Sequence, residues 1–156
     1  MNPTARAAPL SDIGFGTVAG LIRDHAHREP QHPALVQDDR VVTYAELDAL
    51  MDRVACALQR DGVQPRESIA VCAYTSIEYA VVFLGALRAG AVVAPLAPSC
   101  TAEELAGMAA DAGAKLFFLD AAVAQTLEPV AAKIPARRIA MDESPAGDVF
   151  CRRQQA

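Results

Sequence analysis

Four short apolar segments recur at nearly even intervals along the chain and constrain its fold more than any other feature. They begin near positions 68, 92, 115 and 137, which are 24, 23 and 22 residues apart, and a helical pattern follows each of the first three. This spacing is typical of strand–helix units, because neighbouring parallel strands need a long crossover connection. We therefore predict an α/β fold with a mainly parallel sheet and helices flanking it.

The elements before and within this repeat follow from local signals. A first helix is predicted over 17–28, followed by a hairpin that turns at Asp38-Asp39. Thr43 opens a second helix with a capping box, since Glu46 three residues later can reach back to the helix start. Gly62 ends that helix because it tolerates positive φ.

The repeat itself supplies the remaining elements. Three helices are predicted, over residues 76–89, 101–112 and 121–132. The second has its own capping box, formed by Thr101 and Glu104, and the first ends at Gly90. The run at 92–94 is interpreted as a buried strand that ends at Pro95.

A length of 156 residues fits one domain with a substantial core. Residues 1–14 form a predicted flexible lead-in, residues 15–150 a single α/β domain, and residues 151–156 a polar tail. The net charge of −5 argues against a nucleic-acid partner. Arg88 interrupts the longest apolar run, which is too short to span a membrane. The N-terminus has no apolar signal core, so we predict a cytoplasmic location.

The cysteines show no spacing typical of a metal site. Cys56, Cys72 and Cys100 lie in apolar or helix-start contexts, where a buried neutral thiol is expected, whereas Cys151 lies in the tail. A helix start can lower the pKa of a thiol, which applies to Cys100. Because no base lies near it in sequence, we assign it no reactive role.

Other reactive side chains are equally scattered. His25 and His27 are two residues apart on a helix, so they point to different sides and cannot chelate one metal together. The acidic pair Glu103-Glu104 is explained by a cap and a solvated face. No Ser-His-Asp or Cys-His arrangement can be built, so we predict no catalytic, cofactor-binding or metal-binding residue in this chain.

A dinucleotide-binding fingerprint is matched by chance near the start. Residues 14–19 read Gly-Phe-Gly-Thr-Val-Ala, and Asp38 follows at about the right distance. The fingerprint requires a buried strand before its glycines, and the preceding segment is too short and polar for one. We predict instead a loop that leads into the first helix.

Two longer motifs carry a family resemblance. They are Thr43-Tyr44-Ala45-Glu46-Leu47 and Leu87-Arg88-Ala89-Gly90-Ala91-Val92-Val93-Ala94-Pro95-Leu96. In this order they closely resemble the first two core motifs of the adenylate-forming (AMP-binding) superfamily, at the start of its large N-terminal domain. Residues 101–105 and 112–115 resemble the acyl- and aryl-CoA synthetase branch, which includes 4-coumarate-CoA ligase. Ala97 follows the second motif where peptide synthetase adenylation domains usually carry Asp, which favours the same branch.

The resemblance implies an activity for a longer parent protein. Such enzymes activate a carboxylic acid, here aromatic or fatty, with ATP and Mg²⁺, and then pass the acyl group to the thiol of CoA. The phosphate-binding loop that this requires is absent from the 156 residues. We therefore expect the motif residues to build scaffold, ATP, Mg²⁺ and CoA not to bind this chain alone, and the chain alone to be inactive.

One other class of function is open. The chain could be a non-catalytic truncated module that binds a partner or small ligand. An incomplete sheet would also leave an exposed edge, which predicts self-association.

Overall fold

The computed structural model describes residues 16–141. The predicted lead-in (1–14) and polar tail (151–156) lie outside the described residues, as does the end of the predicted domain. In chain order the elements are helix α1 (Val18–Arg28), strands β1 (Pro33–Gln37) and β2 (Arg40–Thr43), helix α2 (Tyr44–Arg60), strand β3 (Ser68–Cys72), helix α3 (Ile77–Arg88), strand β4 (Val92–Leu96), helix α4 (Ala102–Asp111), strand β5 (Leu116–Leu119), helix α5 (Ala121–Leu127), a 3₁₀ helix (Glu128–Lys133) and strand β6 (Arg137–Ala140).

The predicted α/β class is confirmed. Four strands form a parallel sheet in the order β4-β3-β5-β6, while β1 and β2 form a separate antiparallel pair. The chain starts in the middle of the parallel sheet at β3, crosses to β4 on one side, and then returns past β3 to β5 on the other. This change of direction puts α3 on one face of the sheet and α4 and α5 on the other.

Each face of the sheet has its own apolar core. Along β3, Ile69 and Val71 belong to a cluster with residues of α2 and α3, whereas Ala70 and Cys72 belong to a cluster with residues of α4 and α5. Burial on both faces explains why the β3 and β5 sequences are continuously apolar rather than alternating. Within residues 16–141, no helix is long and apolar enough to cross a membrane.

The local signals for helix ends are confirmed. The Thr43 backbone N–H donates to Glu46 Oε2 at 2.8 Å, and the Glu46 N–H donates to Thr43 Oγ1 at 3.3 Å. Thr101 and Glu104 form the same reciprocal pair at the start of α4. Gly62 has φ +86°, the left-handed conformation that ends α2.

The second family motif turns out to hold three helices together. Arg88, whose side chain is only 9% exposed, donates from α3 to Asp48 Oδ1 at 2.6 Å and to Asp52 Oδ1 at 2.9 Å in α2. It also donates to the carbonyl oxygen of Ala19 in α1 at 3.2 Å. The arginine that interrupts the apolar run is therefore a cross-link within the α1–α2–α3 layer.

The same motif corrects one prediction, because β4 is not a buried strand. Among the strands of residues 16–141 it lies at one edge of the sheet, and Pro95 within it is exposed. Val92 is exposed as well, whereas Val93 packs against the α2–α3 cluster. The prediction was wrong because Val-Val-Ala shows no alternation of apolar and polar residues from which an edge strand could be recognised.

The predicted helix over 121–132 is also shorter than expected. The α-helix ends at Leu127, and a 3₁₀ helix continues to Lys133. Pro129 explains the change, because proline has no N–H for an α-helical bond to the carbonyl four residues earlier.

Candidate functional site

A crevice of about 950 Å³ opens at the carboxyl edge of the parallel sheet. Its walls come from the turn between β1 and β2, the segment that follows β3, and the start of α5. The lining residues are Gln37, Asp38, Arg40, Ala73, Tyr74, Thr75, Ser76, Glu78, Asp120, Ala121, Ala122 and Met141.

The sheet topology explains why the crevice forms at this point. Strands β3 and β5 are neighbours, but α3 follows β3 onto one face and α5 follows β5 onto the other. The two connections diverge and leave a gap between them. In open parallel sheets, ligands bind at such a switch point outside the carboxyl ends of the strands.

Asp120 ties the two diverging connections together. Its Oδ1 accepts from the Val123 backbone N–H at 2.8 Å, which caps α5, and its Oδ2 accepts from the Tyr74 backbone N–H at 2.9 Å. The Tyr74 side chain itself is exposed at the rim of the crevice. Asp120 therefore fixes the backbone that presents Tyr74.

The hairpin closes the opposite side of the crevice. Gln37 Oε1 accepts from the Ile77 backbone N–H at 2.9 Å, and Arg40 forms an ion pair with Glu78. The Glu78 side chain is only 8% exposed, so the carboxylate of this pair is largely shielded from solvent. The hairpin is thus attached to the first turn of α3.

These contacts make the crevice a poor fit for a triphosphate. Among the described residues that line it, the single cationic side chain is Arg40, which is already paired with Glu78, and Asp38 and Asp120 add carboxylates. The N-terminal N–H groups of α3 at Ile77 and Tyr79 already donate to side chains. Within residues 16–141, no three His, Cys, Asp or Glu side chains group as a metal site requires. We therefore assign no nucleotide phosphate or Mg²⁺ to these residues.

The cysteines differ in their surroundings. Cys72 lies buried at the end of β3, and burial raises the pKa of its thiol to about 12, with further contributions from the nearby Asp120 and Cys100. The thiol therefore stays neutral and is no nucleophile. The prediction of a buried thiol is wrong for Cys56, which is exposed on α2, and Cys100 is half-buried. Cys56 is exposed because it lies outside the stripe of α2 that faces the core.

Of the other residues weighed in the sequence, Asp38 lines the crevice, whereas His25 and Glu103 are not among its lining residues. Asp38 lies in the β1–β2 turn with φ +51°, as expected for a hairpin and not for a dinucleotide fingerprint. His25 stacks on Tyr44 with ring centroids 4.9 Å apart. Glu103 is exposed and forms an ion pair with Lys133.

The sequence analysis proposed no site residue and so missed the crevice. A signal was present, because Tyr74-Thr75-Ser76 begin two residues after the end of β3 and Asp120 directly follows β5. The carboxyl ends of parallel strands meet at one edge of a sheet, so these polar residues are expected to converge. What the spacing did not reveal is that β3 and β5 are adjacent.

Comparison with known proteins gives a consistent family. Residues 22–150 match the sequence profile of the family described as AMP-binding enzyme. Malpibaldin synthetase from Mortierella alpina is 38% identical over 122 residues, which are 78% of this chain and 2% of that protein. The fatty acid–[acyl-carrier-protein] ligase ScoC from Streptomyces coeruleorubidus is 31% identical over 120 residues, 77% of this chain and 23% of that protein.

Solved structures agree with the sequence relatives. A Mycobacterium tuberculosis fatty acyl CoA synthetase superimposes with a TM-score of 0.76 at 25% identity, over 85% of this chain and 27% of that one. The chain thus spans less than a third of the length of each of these three proteins.

Proposed function

Since the chain belongs to the AMP-binding enzyme family, we propose that it is the N-terminal part of an adenylate-forming ligase. In the longer protein, a carboxylic acid would react with ATP to give an acyl-adenylate and pyrophosphate. The observation that carries this proposal is the family match over residues 22–150, which includes nearly all the described structure.

We propose the thiol of CoA as the acyl acceptor. The support is the absence of Asp after Leu96 and the similar fold of the fatty acyl CoA synthetase. ScoC, by its name, acts with an acyl-carrier protein, so a carrier-bound thiol is the competing acceptor. Incubation of the longer protein with acid, ATP and either CoA or a carrier protein distinguishes the two by the thioester that forms. An aromatic or fatty acid is the proposed substrate class.

We propose further that the crevice forms one wall of the ligand-binding surface of the longer protein. Its place at the switch point of the sheet supports this, as does the exposed aromatic ring of Tyr74 beside Thr75. Since the crevice suits neither a triphosphate nor Mg²⁺, ATP, Mg²⁺ and CoA would depend on other parts of the longer protein. The 156-residue chain alone is therefore expected to be inactive.

The experiment is acid-dependent ATP–pyrophosphate exchange. A longer polypeptide that carries this chain and the remainder of the family domain should exchange with at least one acid from an aromatic and fatty panel, whereas the pure 156-residue chain should stay at background. Exchange by the short chain would contradict the proposed division of roles. No exchange by the longer polypeptide with any acid would favour the non-catalytic module.

Two variants of the longer polypeptide test the crevice. Tyr74→Ala should raise the KM for one substrate by about tenfold, the effect of losing about 1.4 kcal/mol of binding. Val41→Ala removes another exposed apolar side chain, on β2 and outside the crevice lining, and should leave KM unchanged. Equal KM values for the two variants would remove the crevice from the proposal.

Two further expectations belong to this proposal. A cytoplasmic location stays a prediction. Self-association through an exposed sheet edge is proposed as well.

A further inference from the structure

Asp120 uses both of its carboxylate oxygens to accept from backbone N–H groups. Its Oδ1 accepts from the Val123 N–H at 2.8 Å, and its Oδ2 accepts from the Tyr74 N–H at 2.9 Å. The cap of a helix needs only one side-chain oxygen, which asparagine or serine supplies as well as aspartate does. The bond to Tyr74 is therefore a second task of Asp120, for which capping of α5 gives no reason.

The two tasks can be separated by a change of one atom. An ionised carboxylate accepts hydrogen bonds at both oxygens, whereas the amide of asparagine has one accepting oxygen and one donating nitrogen. Asparagine at position 120 could still cap α5 through its oxygen. Its amide nitrogen would then face the Tyr74 N–H, donor against donor, and the bond between the two crevice walls would be lost.

The segment between β3 and α3 is held at both ends by side chains. At its far end Gln37 of β1 accepts from the Ile77 N–H at 2.9 Å, and Ser76 accepts from the Tyr79 N–H at 3.1 Å. At its near end Asp120 holds the Tyr74 N–H. Within residues 16–141, Tyr74 is 67% exposed, so packing against these residues restrains its ring little. The backbone at Tyr74 therefore sets where the ring projects.

We propose that Asp120 is a positioning residue for ligand binding in the longer protein, a role that rests on the proposed function of the crevice. By joining Tyr74 to the start of α5, Asp120 keeps the two walls of the crevice at a fixed spacing and directs the Tyr74 ring towards the ligand. Both carboxylate oxygens are engaged by the backbone. Asp120 therefore acts through Tyr74 and touches no reacting atom.

ATP–pyrophosphate exchange by the longer polypeptide tests this role. Asp120→Asn should raise by about threefold to tenfold the same KM that Tyr74→Ala raises, the effect of one lost hydrogen bond, and should leave kcat within about twofold of the parent value. The double variant should have the KM of Tyr74→Ala alone, because two residues that act as a unit are not additive. As a matched control, Thr101→Ala removes the cap of α4 outside the crevice lining and should leave KM unchanged.

Hydrogen–deuterium exchange of the 156-residue chain measures the hydrogen bond itself, without any activity. In Asp120→Asn the Tyr74 amide should exchange faster than in the parent sequence, because its acceptor is lost. The Val123 amide should exchange at the parent rate, because the cap of α5 is kept. An unchanged rate at Tyr74 would overturn the proposal.

The kinetic outcomes separate this role from the proposed function of the crevice. If Tyr74→Ala raises KM and Asp120→Asn does not, Asp120 is no positioning residue, while the crevice keeps its proposed function. Additive losses in the double variant would also overturn the proposal, since Asp120 would then act independently of Tyr74. If Tyr74→Ala leaves every KM unchanged, the proposed function of the crevice fails, and the positioning role fails with it.

Discussion

At the scale of single residues, the structure gives Arg88 a role different from that of a surface charge. Its guanidinium donates to the carboxylates of Asp48 and Asp52 in α2 and to the backbone carbonyl oxygen of Ala19 in α1. Arg23 also forms ion pairs with Asp48 and Asp52, but its side chain is 49% exposed. The two arginines share acid partners and differ in burial, so they form a matched pair for experiment.

We expect Arg88→Ala to lower the free energy of unfolding by about 3 kcal/mol, because it leaves half-buried Asp48 without its main partner. Arg23→Ala should change it by less than about 1 kcal/mol, since exposed ion pairs are screened by solvent. Urea denaturation of both variants measures the difference. Equal losses would show that burial of Arg88 adds nothing to its ion pairs.

At the scale of the elements, the two capping boxes show how local sequence determines a helix start. The pKa of Glu46 lies below its usual value, chiefly because its carboxylate accepts from the Thr43 backbone N–H and also from the Thr43 hydroxyl. A lowered pKa in the folded state means that the carboxylate contributes stability above the pKa of the unfolded chain. This contribution is lost as the pH falls through the lowered value.

Thr43→Ala should lower the free energy of unfolding by about 1 kcal/mol at neutral pH, as is usual for the loss of an N-cap. Glu46→Gln should also destabilise at neutral pH, and its difference from the parent sequence should shrink in acid. Urea denaturation at neutral and acidic pH measures both effects. A difference for Glu46→Gln that grows in acid would contradict the assigned direction of the pKa shift.

The elements were predictable where their signals are local. Thr43, Thr101 and Gly62 each determine the end of their own helix, so the signal and the helix end lie within a few residues of each other in the sequence. The β4 strand was predicted correctly as a strand and wrongly as buried. Its burial depends on which strand pairs with it, and that is not a local property.

At the scale of the whole molecule, α2 and α3 approach so closely that one position must be glycine. A Cβ built on Gly85 would lie 2.4 Å from Val54 Cβ, which no real contact allows. A Cβ placed on Gly107 of α4 would meet nothing within 4 Å. Both glycines lie inside helices, and only tertiary packing distinguishes them.

Gly85→Ala should therefore destabilise the fold by about 1–3 kcal/mol, the usual effect of overpacking. Gly107→Ala should stabilise it by about 0.5–1 kcal/mol, because alanine favours the helix and meets no neighbour. Thermal or urea unfolding of the two variants gives the sign of each change. Stabilisation by Gly85→Ala would mean that α2 and α3 can separate without loss.

The crevice is also a property of the whole molecule. Tyr74 and Asp120 are 46 positions apart in the sequence, and the Tyr74 backbone N–H donates to Asp120 Oδ2 at 2.9 Å. The repeat predicted that both residues follow parallel strands. It did not predict the order β4-β3-β5-β6, which makes β3 and β5 neighbours and separates their helices.

The sequence by itself determined the α/β class, the helix caps and the family, because periodicity, capping residues and contiguous motifs are all local. Only the tertiary structure decided that β4 lies at an edge, that Arg88 joins three helices, and that Tyr74 and Asp120 flank one crevice. Strand order and helix contact arise from the packing of segments far apart in the chain. A pattern within one segment carries no information about which other segment will lie beside it.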